Sequence, residues 1–246
     1  MNKIKSYLLV VTFFLLLAVA CKNKTASNDG ALIGYDYYPI QVGAYYIYDV
    51  TINTYQGLFV AGTYTPITKD TTFQMKELVV EPITVADETR YQLYRFYKTT
   101  DGTWKDQPDS VWTVFNNNSL LIKVEDNVRY IKLSFPLVNG KRWNGNQMNP
   151  KDTNFYTMVN FGKPFSFDNS YYPTTATVVQ KSGKDFTKSD NRQEVYAEGV
   201  GLIYKSLESY TYLYSQPGYQ NIVATDSYII YLGQKYVQKL VSHGQN

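Results

Sequence analysis

Apolar and polar residues alternate with a period of two in short runs along most of this chain, and clusters of Asn, Asp, Gly and Pro separate the runs. Leu120, Ile122 and Val124 share one side of such a run. Asn116–Ser119 supply the turn before it, and Asp126 and Asn127 the turn into Val128–Phe135, where Ile131, Leu133 and Phe135 alternate in the same way. The pattern predicts a meander. Further strands are predicted over Tyr45–Thr54, Phe73–Val80, Thr89–Thr99, Ser110–Phe115, Thr174–Lys181, Gln193–Ala197, Gly201–Tyr210 and Ser227–Tyr236, all rich in Thr, Tyr, Val and Ile. Asp101-Gly102 is a tight-turn dipeptide between two of them. Helical periodicity is scarce, and Gln234–Val241 fits strand or helix equally. The expected class is all-β and mostly antiparallel, as a curved sheet, an open barrel or a sandwich.

The amino terminus departs from this pattern. Lys3 and Lys5 precede an apolar run from Tyr7 to Ala20 that ends in small residues, the order of a secretory signal. A permanent helical span needs about 20 apolar residues to cross a bilayer core of ~30 Å, so this shorter run suits a segment that is removed. Ala18, Val19, Ala20 and Cys21 resemble the lipobox of bacterial lipoproteins, with Ala18 where Leu is commoner. The resemblance implies that Cys21 is acylated by palmitate-type chains and begins the mature protein. The competing reading is an ordinary signal peptide with an incidental thiol, which would leave a reactive group exposed after export. At ~0.8 kcal/mol per buried methylene, two or more chains hold a protein on a membrane without a second element. Residues 21–34 then read as the lipidated cysteine and a polar tether, with a reach of at most ~45 Å at about 3.5 Å per residue. The globular part is 35–246.

Of the 246 residues, 24 are basic and 21 acidic. The expected signal removes two of the basic ones, so the exported part is almost neutral, and no basic block interleaves with aromatics; a nucleic-acid partner is not expected. With one cysteine, no intramolecular disulfide can form.

One internal echo stands out. Tyr38-Pro39-Ile40-Gln41-Val42-Gly43-Ala44-Tyr45-Tyr46 and Phe135-Pro136-Leu137-Val138-Asn139-Gly140-Lys141-Arg142-Trp143 both read aromatic-Pro-aliphatic-x-x-Gly-x-x-aromatic. Pro fixes φ and Gly permits a turn of positive φ, so each copy suits a lead-in to a strand. The echo marks either duplicated halves, 35–133 and 134–246, or a reuse of the same turn chemistry. Together with Tyr196-Ala197-Glu198-Gly199-Val200-Gly201-Leu202-Ile203-Tyr204, these elements resemble a group of uncharacterised lipoproteins of Bacteroidetes-type bacteria. That resemblance implies an envelope location and a β-rich fold, and no activity.

The chemistry available is narrow. His243 is the only histidine and lies by the carboxyl end, where a solvated tail is expected, so no Ser-His-Asp or Cys-His arrangement and no His/Cys zinc site is expected. Gly199-Val200-Gly201 lacks the strand-turn-helix context of a phosphate cradle. Carboxylates remain: Asp87-Glu88, Asp106 with Asp109, Glu125-Asp126, and Glu194 with Glu198. Glu125-Asp126 is simplest as a turn, and Asp185–Asp190 is a weak calcium loop. No catalytic residue, metal or cofactor is assigned.

The 25 tyrosines are the oddest feature. Tyr37, Tyr38, Tyr45, Tyr46, Tyr171, Tyr172, Tyr210, Tyr212 and Tyr214 are the candidates for an aromatic binding face, against the simpler reading that they are strand formers on half-buried faces. The leading reading is a non-enzymatic, lipid-anchored binding or accessory protein of the envelope, with a glycan or envelope protein as partner. The alternatives are a half-barrel carrier of an acyl chain or other apolar ligand and, last, a carboxylate-dependent glycan hydrolase. Basic and neutral residues after Cys21, Lys22 to Thr25, favour the periplasmic side of the outer membrane.

Overall fold

The computed structural model describes residues 33–60, 63–98, 101–212 and 229–246. They build one antiparallel sheet from β1 (Ala44–Val60), β2 (Thr63–Val85), β3 (Glu88–Tyr97), β4 (Ser110–Asn116), β5 (Leu120–Glu125), β6 (Val128–Ser134), β7 (Arg142–Asn144), β8 (Phe155–Phe167), β9 (Ser170–Lys184), β10 (Lys188–Ala197), β11 (Gly201–Tyr212) and β12 (Ile230–Gln245). The strand order is β6-β5-β4-β3-β2-β1-β12-β11-β10-β9-β8-β7, so two six-stranded meanders are joined where β1 pairs with β12. The sheet curls until its outer strands meet. The Ile131 N–H donates to the Gly145 carbonyl at 3.0 Å, and the Trp143 Nε1–H donates to the Ile131 carbonyl at 3.0 Å. The Asn149 side-chain amide reaches the Arg129 carbonyl at 2.6 Å. The result is a nearly closed barrel, the all-β antiparallel class expected, with its two edges covered.

Most strands lie where period-two alternation places them, with longer bounds. β8 is not among the strands that alternation predicts; it carries Asn160, Gly162 and Pro164, and although Asn160 and Gly162 take left-handed φ of 54° and 73°, the strand continues past them. The carboxyl end is strand throughout. His243 is no tail: it pairs with Tyr46 in the ladder and stacks on its ring at 6.5 Å. The face expected for Leu120, Ile122 and Val124 is also corrected. A register shift at Leu121/Ile122 buries Leu121, Ile122 and Lys123 in succession.

The two copies of the echo adopt one local structure. Gly43 and Gly140 have φ of 86° and 79°. Their N–H groups donate to Val79 and Met158, each at 2.8 Å, and these residues are buried in the second strand of each meander. The following N–H groups, of Ala44 and Lys141, close turns onto Gln41 and Val138, each at 3.1 Å.

Residues 33–40 lie across one end of the barrel. Tyr35 sits edge-on to Phe135 at 4.8 Å and donates its hydroxyl to the Asn118 carbonyl at 2.5 Å. Tyr37 is buried against Phe161, and the Gly199 N–H donates to the Asp36 carbonyl at 2.8 Å. Asn118 and Gly199 belong to the β4–β5 and β10–β11 turns and Phe135 follows β6, all at the same end of an alternating meander. Ile33 and Gly34, which composition assigns to the tether, are docked here: the Leu137 N–H donates to the Ile33 carbonyl at 3.0 Å. Any Cβ at Gly34, whose φ is 93°, would meet Leu137 at 2.7 Å. The main apolar core lies beside this plug, with Tyr37, Leu93, Val114, Leu121, Leu133, Trp143, Met158, Val178 and Leu202. Outside the wall, Phe165 and Phe167 of the β8–β9 hairpin pack on Tyr204 at 5.4 and 5.9 Å.

Candidate functional site

Further along the barrel the inward positions stop being apolar. In β2 the inward series Met75, Glu77, Val79 puts a carboxylate between two core residues, and its neighbour in β3 is Arg95, next to Leu93. The shift in β5 turns Lys123 inward, and Glu125 follows on the same side. Lys132 comes from β6, Glu194 and Tyr196 from β10, and Lys205 from β11. With Tyr38, Trp112, Tyr236 and Gln238 these side chains line an interior cavity of about 240 Å³.

The charges form two linked groups. Glu77 receives Lys123 at 3.1 and 3.2 Å and Arg95 at 3.2 Å. Lys132 sits between Glu125 and Glu194, 2.9 Å from each, and Lys205 approaches Glu194 at 3.4 Å. The Tyr196 hydroxyl donates to the other oxygen of Glu194 at 2.6 Å. Arg95 lies over the Trp112 ring at 3.6 Å, with Lys123 over the same ring at 5.0 Å. The middle of the cluster is buried, with the side chains of Glu77, Lys123, Lys132 and Glu194 no more than 6% exposed, while Glu125 and Lys205, at 15% and 24%, reach towards solvent.

Burial by itself would push these carboxyls up. It is overridden at Glu125 by Lys132, Lys205 and Lys123, which bring it down to about 2. Glu194 is likewise held well below its usual range by Lys132 and Lys205. Burial also acts against the charge on Lys132, and its two carboxylate neighbours more than reverse that, so it stays firmly protonated. The Glu77–Lys123 pair is not symmetric. Glu77 has two cations and is held low in spite of its burial, while burial, helped by the nearby Arg95 and Lys132, outweighs Glu77 and Glu125 and leaves Lys123 below its ordinary value.

The structure does not gather the candidate tyrosines on one face. Tyr37 and Tyr212 are buried, Tyr171 is 66% exposed, and Tyr172 stacks on Phe167 at 5.8 Å. Tyr210 meets Tyr55 edge-on at 5.5 Å. Tyr45 and Tyr46 occupy opposite faces of β1, the first against Gly244 and the second beside His243. Only Tyr38, 6.1 Å from the Tyr196 ring, lines the cavity. Tyr214 and Cys21 lie outside the described residues. Among the carboxylates, Asp185 caps its own turn through Thr187 and Lys188, and Asp190 pairs with Arg192, so the loop Asp185–Asp190 is held by turn chemistry. Asp109 pairs with Lys105, and Glu88 with Arg90 and Arg129. Glu125 and Glu194, separate in sequence, are brought together on Lys132; the reading of Glu125 as a turn residue is corrected, because its side chain turns inward. Glu77, Arg95, Trp112, Lys123, Lys132, Lys205, Tyr236 and Gln238 were not singled out by sequence. Their signal was a charge at inward parity, as in Met75-x-Glu77-x-Val79.

No family model matches the chain, and no curated protein matches it. Two solved structures are similar over 83% of this chain and 98% of their own. One is provisionally named a lipoprotein, from Parabacteroides distasonis, with 13% identity and a TM-score of 0.33. The other is provisionally named an exported protein with a YmcC-like fold, from Bacteroides fragilis, with 12% identity and a TM-score of 0.28. At TM-scores this low the superposition is too partial to carry fold or function across.

Proposed function

We propose that this chain is a lipid-anchored, non-enzymatic binding protein of the cell envelope, held at the periplasmic side of the outer membrane through Cys21, whose barrel takes a small polar ligand. One observation carries the ligand reading: an interior cavity of about 240 Å³ places seven charged side chains beside Trp112, Leu202, Leu207 and three tyrosines, where apolar residues alone would stabilise a barrel more cheaply. Such a lining suits a ligand with polar groups of its own. An acyl chain there would strip water from charges without replacing its hydrogen bonds. A glycosidase needs one carboxyl held protonated as general acid, and Glu125 and Glu194 are both pushed the other way. The outward positions of β1 and β2 carry Asp49, Gln74, Asn53 and Asp70, joined in cross-strand hydrogen bonds of 2.7 and 2.8 Å, which suits water and not the apolar band of a membrane-spanning barrel.

Native mass spectrometry of protein purified from envelopes tests the ligand. A hydrophilic small molecule released on denaturation is expected, and a bound lipid would overturn the reading in favour of the carrier. The anchor has a separate test. Cys21→Ser is expected to abolish palmitate labelling and move the protein to the soluble fraction; unchanged sedimentation with membranes would refute it.

A further inference from the structure

The charges lining the cavity do not balance. Four cations, Arg95, Lys123, Lys132 and Lys205, face three carboxylates, Glu77, Glu125 and Glu194. The surplus has an address. Lys132 and Lys205 are matched by Glu125 and Glu194, whereas Arg95 and Lys123 share Glu77.

Arg95 is the less satisfied of that pair. Its side chain is 10% exposed, and its Nη2 points at the Met75 sulfur, 2.7 Å away, which is a weak acceptor. Its Nε lies 3.2 Å from Glu77 Oε1, near enough for charge attraction, yet makes no hydrogen bond and is fully buried. A planar guanidinium with one donor unused and another spent on a thioether, lying on an indole face beside a cavity, is arranged for a planar anion with carbon attached.

Building on the ligand-site reading above, we infer that the cavity takes a small hydroxylated monocarboxylate, such as a hydroxy acid or a single sugar acid. Its carboxylate sits on Arg95 and Lys123, its carbon skeleton lies against Trp112, and its hydroxyls face Tyr38, Gln234 and Gln238. One negative charge neutralises the surplus. A dianion such as phosphate would be repelled by the three carboxylates and would gain nothing from the ring. The volume of about 240 Å³ lies below the range of drug-sized pockets, about 300 to 1,000 Å³, and limits the ligand to roughly one ring.

The test uses the purified mature chain and thermal melts at constant ionic strength with D-glucuronate, L-lactate, D-glucose or sodium phosphate. Glucuronate or lactate is expected to raise the melting temperature of the wild type, and glucose and phosphate to leave it unchanged. In Arg95→Met the lining charges balance, so this variant is expected to melt no lower than the wild type without ligand and to lose the response. Arg95→Lys, which keeps the charge without the fork, is expected to respond about 10-fold more weakly. If glucose acts as well as glucuronate, on wild type and Arg95→Met alike, the anion inference falls while the polar-ligand reading stands. Equal stabilisation by phosphate makes the site a general anion site and also overturns it. If neither carboxylate acts and Arg95→Met melts several degrees lower, Arg95 is a structural strut; the envelope-purified material then decides the broader reading independently.

Discussion

Lys132→Met is the most informative single perturbation of the charged interior. The ammonium it removes lies 2.9 Å from both Glu125 and Glu194, and it is the first counter-ion of each. Glu125 is held at about 2 against an ordinary 4.5, a difference worth roughly 3 kcal/mol of folding stability at neutral pH. Taking one partner from a buried pair costs about 3 to 5 kcal/mol, and here two carboxylates would be left facing each other with Lys205 and the more distant Lys123 as their remaining cations. In a chain of this size each kcal/mol moves the midpoint by about 2 to 4 °C, so a fall of about 10 °C at pH 7 is expected.

The sign of the pH dependence separates this account from a packing defect. In the wild type, depressed carboxyls contribute stability that is present above their unfolded value and is lost as pH falls through the folded one, between about 4.5 and 2 for Glu125. In the variant the facing carboxylates repel and one is raised, so its contribution is present at low pH and lost as pH rises. The gap between wild type and variant should therefore narrow as the buffer is taken from pH 7.5 towards pH 4.5. Circular-dichroism melts of both proteins across that range measure it. A gap that is absent, or that stays constant with pH, would refute the reasoning.

Two further outcomes test the closure of the sheet. Trp143→Phe deletes the indole donor to Ile131 and leaves a buried carbonyl without it, at a cost of about 1 to 3 kcal/mol; hydrogen exchange at the Ile131 amide, which bonds across the same junction, should accelerate more than in β1. Gly145→Ala sets a Cβ 2.3 to 2.6 Å from the buried Tyr156 ring, itself edge-on to Trp143 at 6.0 Å, so a loss of about 1 to 3 kcal/mol in urea unfolding is expected, and a neutral result would show that the ring has room to move.

The strands were legible because a half-buried sheet repeats every two residues, and the lead-in turns because Pro and Gly are needed there for backbone reasons. Gly43 and Gly140 confirm the second point with nearly equal φ and matching hydrogen bonds. β8 was hidden by the same logic, since Asn160, Gly162 and Pro164 bend a strand without ending it. The site was hidden for two other reasons. Charged residues in strands are usually assigned to the water side, so Glu77 and Arg95 were passed over although Met75, Val79 and Leu93 share their parity. Lys132 and Glu194 stand 62 residues apart, and nothing local in either strand announces the other. The tyrosines drew attention by number alone, and strand propensity accounts for their scattered faces.

The width of the barrel explains why such a site exists at all. About eight strands enclose an interior that side chains just fill, and twelve enclose more. This chain fills part of the excess with its own leading segment, Tyr35 to Tyr38, and with the apolar cluster around Leu133 and Met158. The remainder could have been filled by Leu and Met at a gain in stability, because buried ion pairs are often no better than a well-packed apolar substitute. Seven charged groups stand in it instead, drawn from strands β2, β3, β5, β6, β10 and β11, and the Lys132–Glu194 pair ties the first meander to the second. A lining that is costly to bury, uneven in charge and supplied by both halves of the sheet is what the proposed recognition of a solute would call for, whereas stability alone would favour an apolar filling.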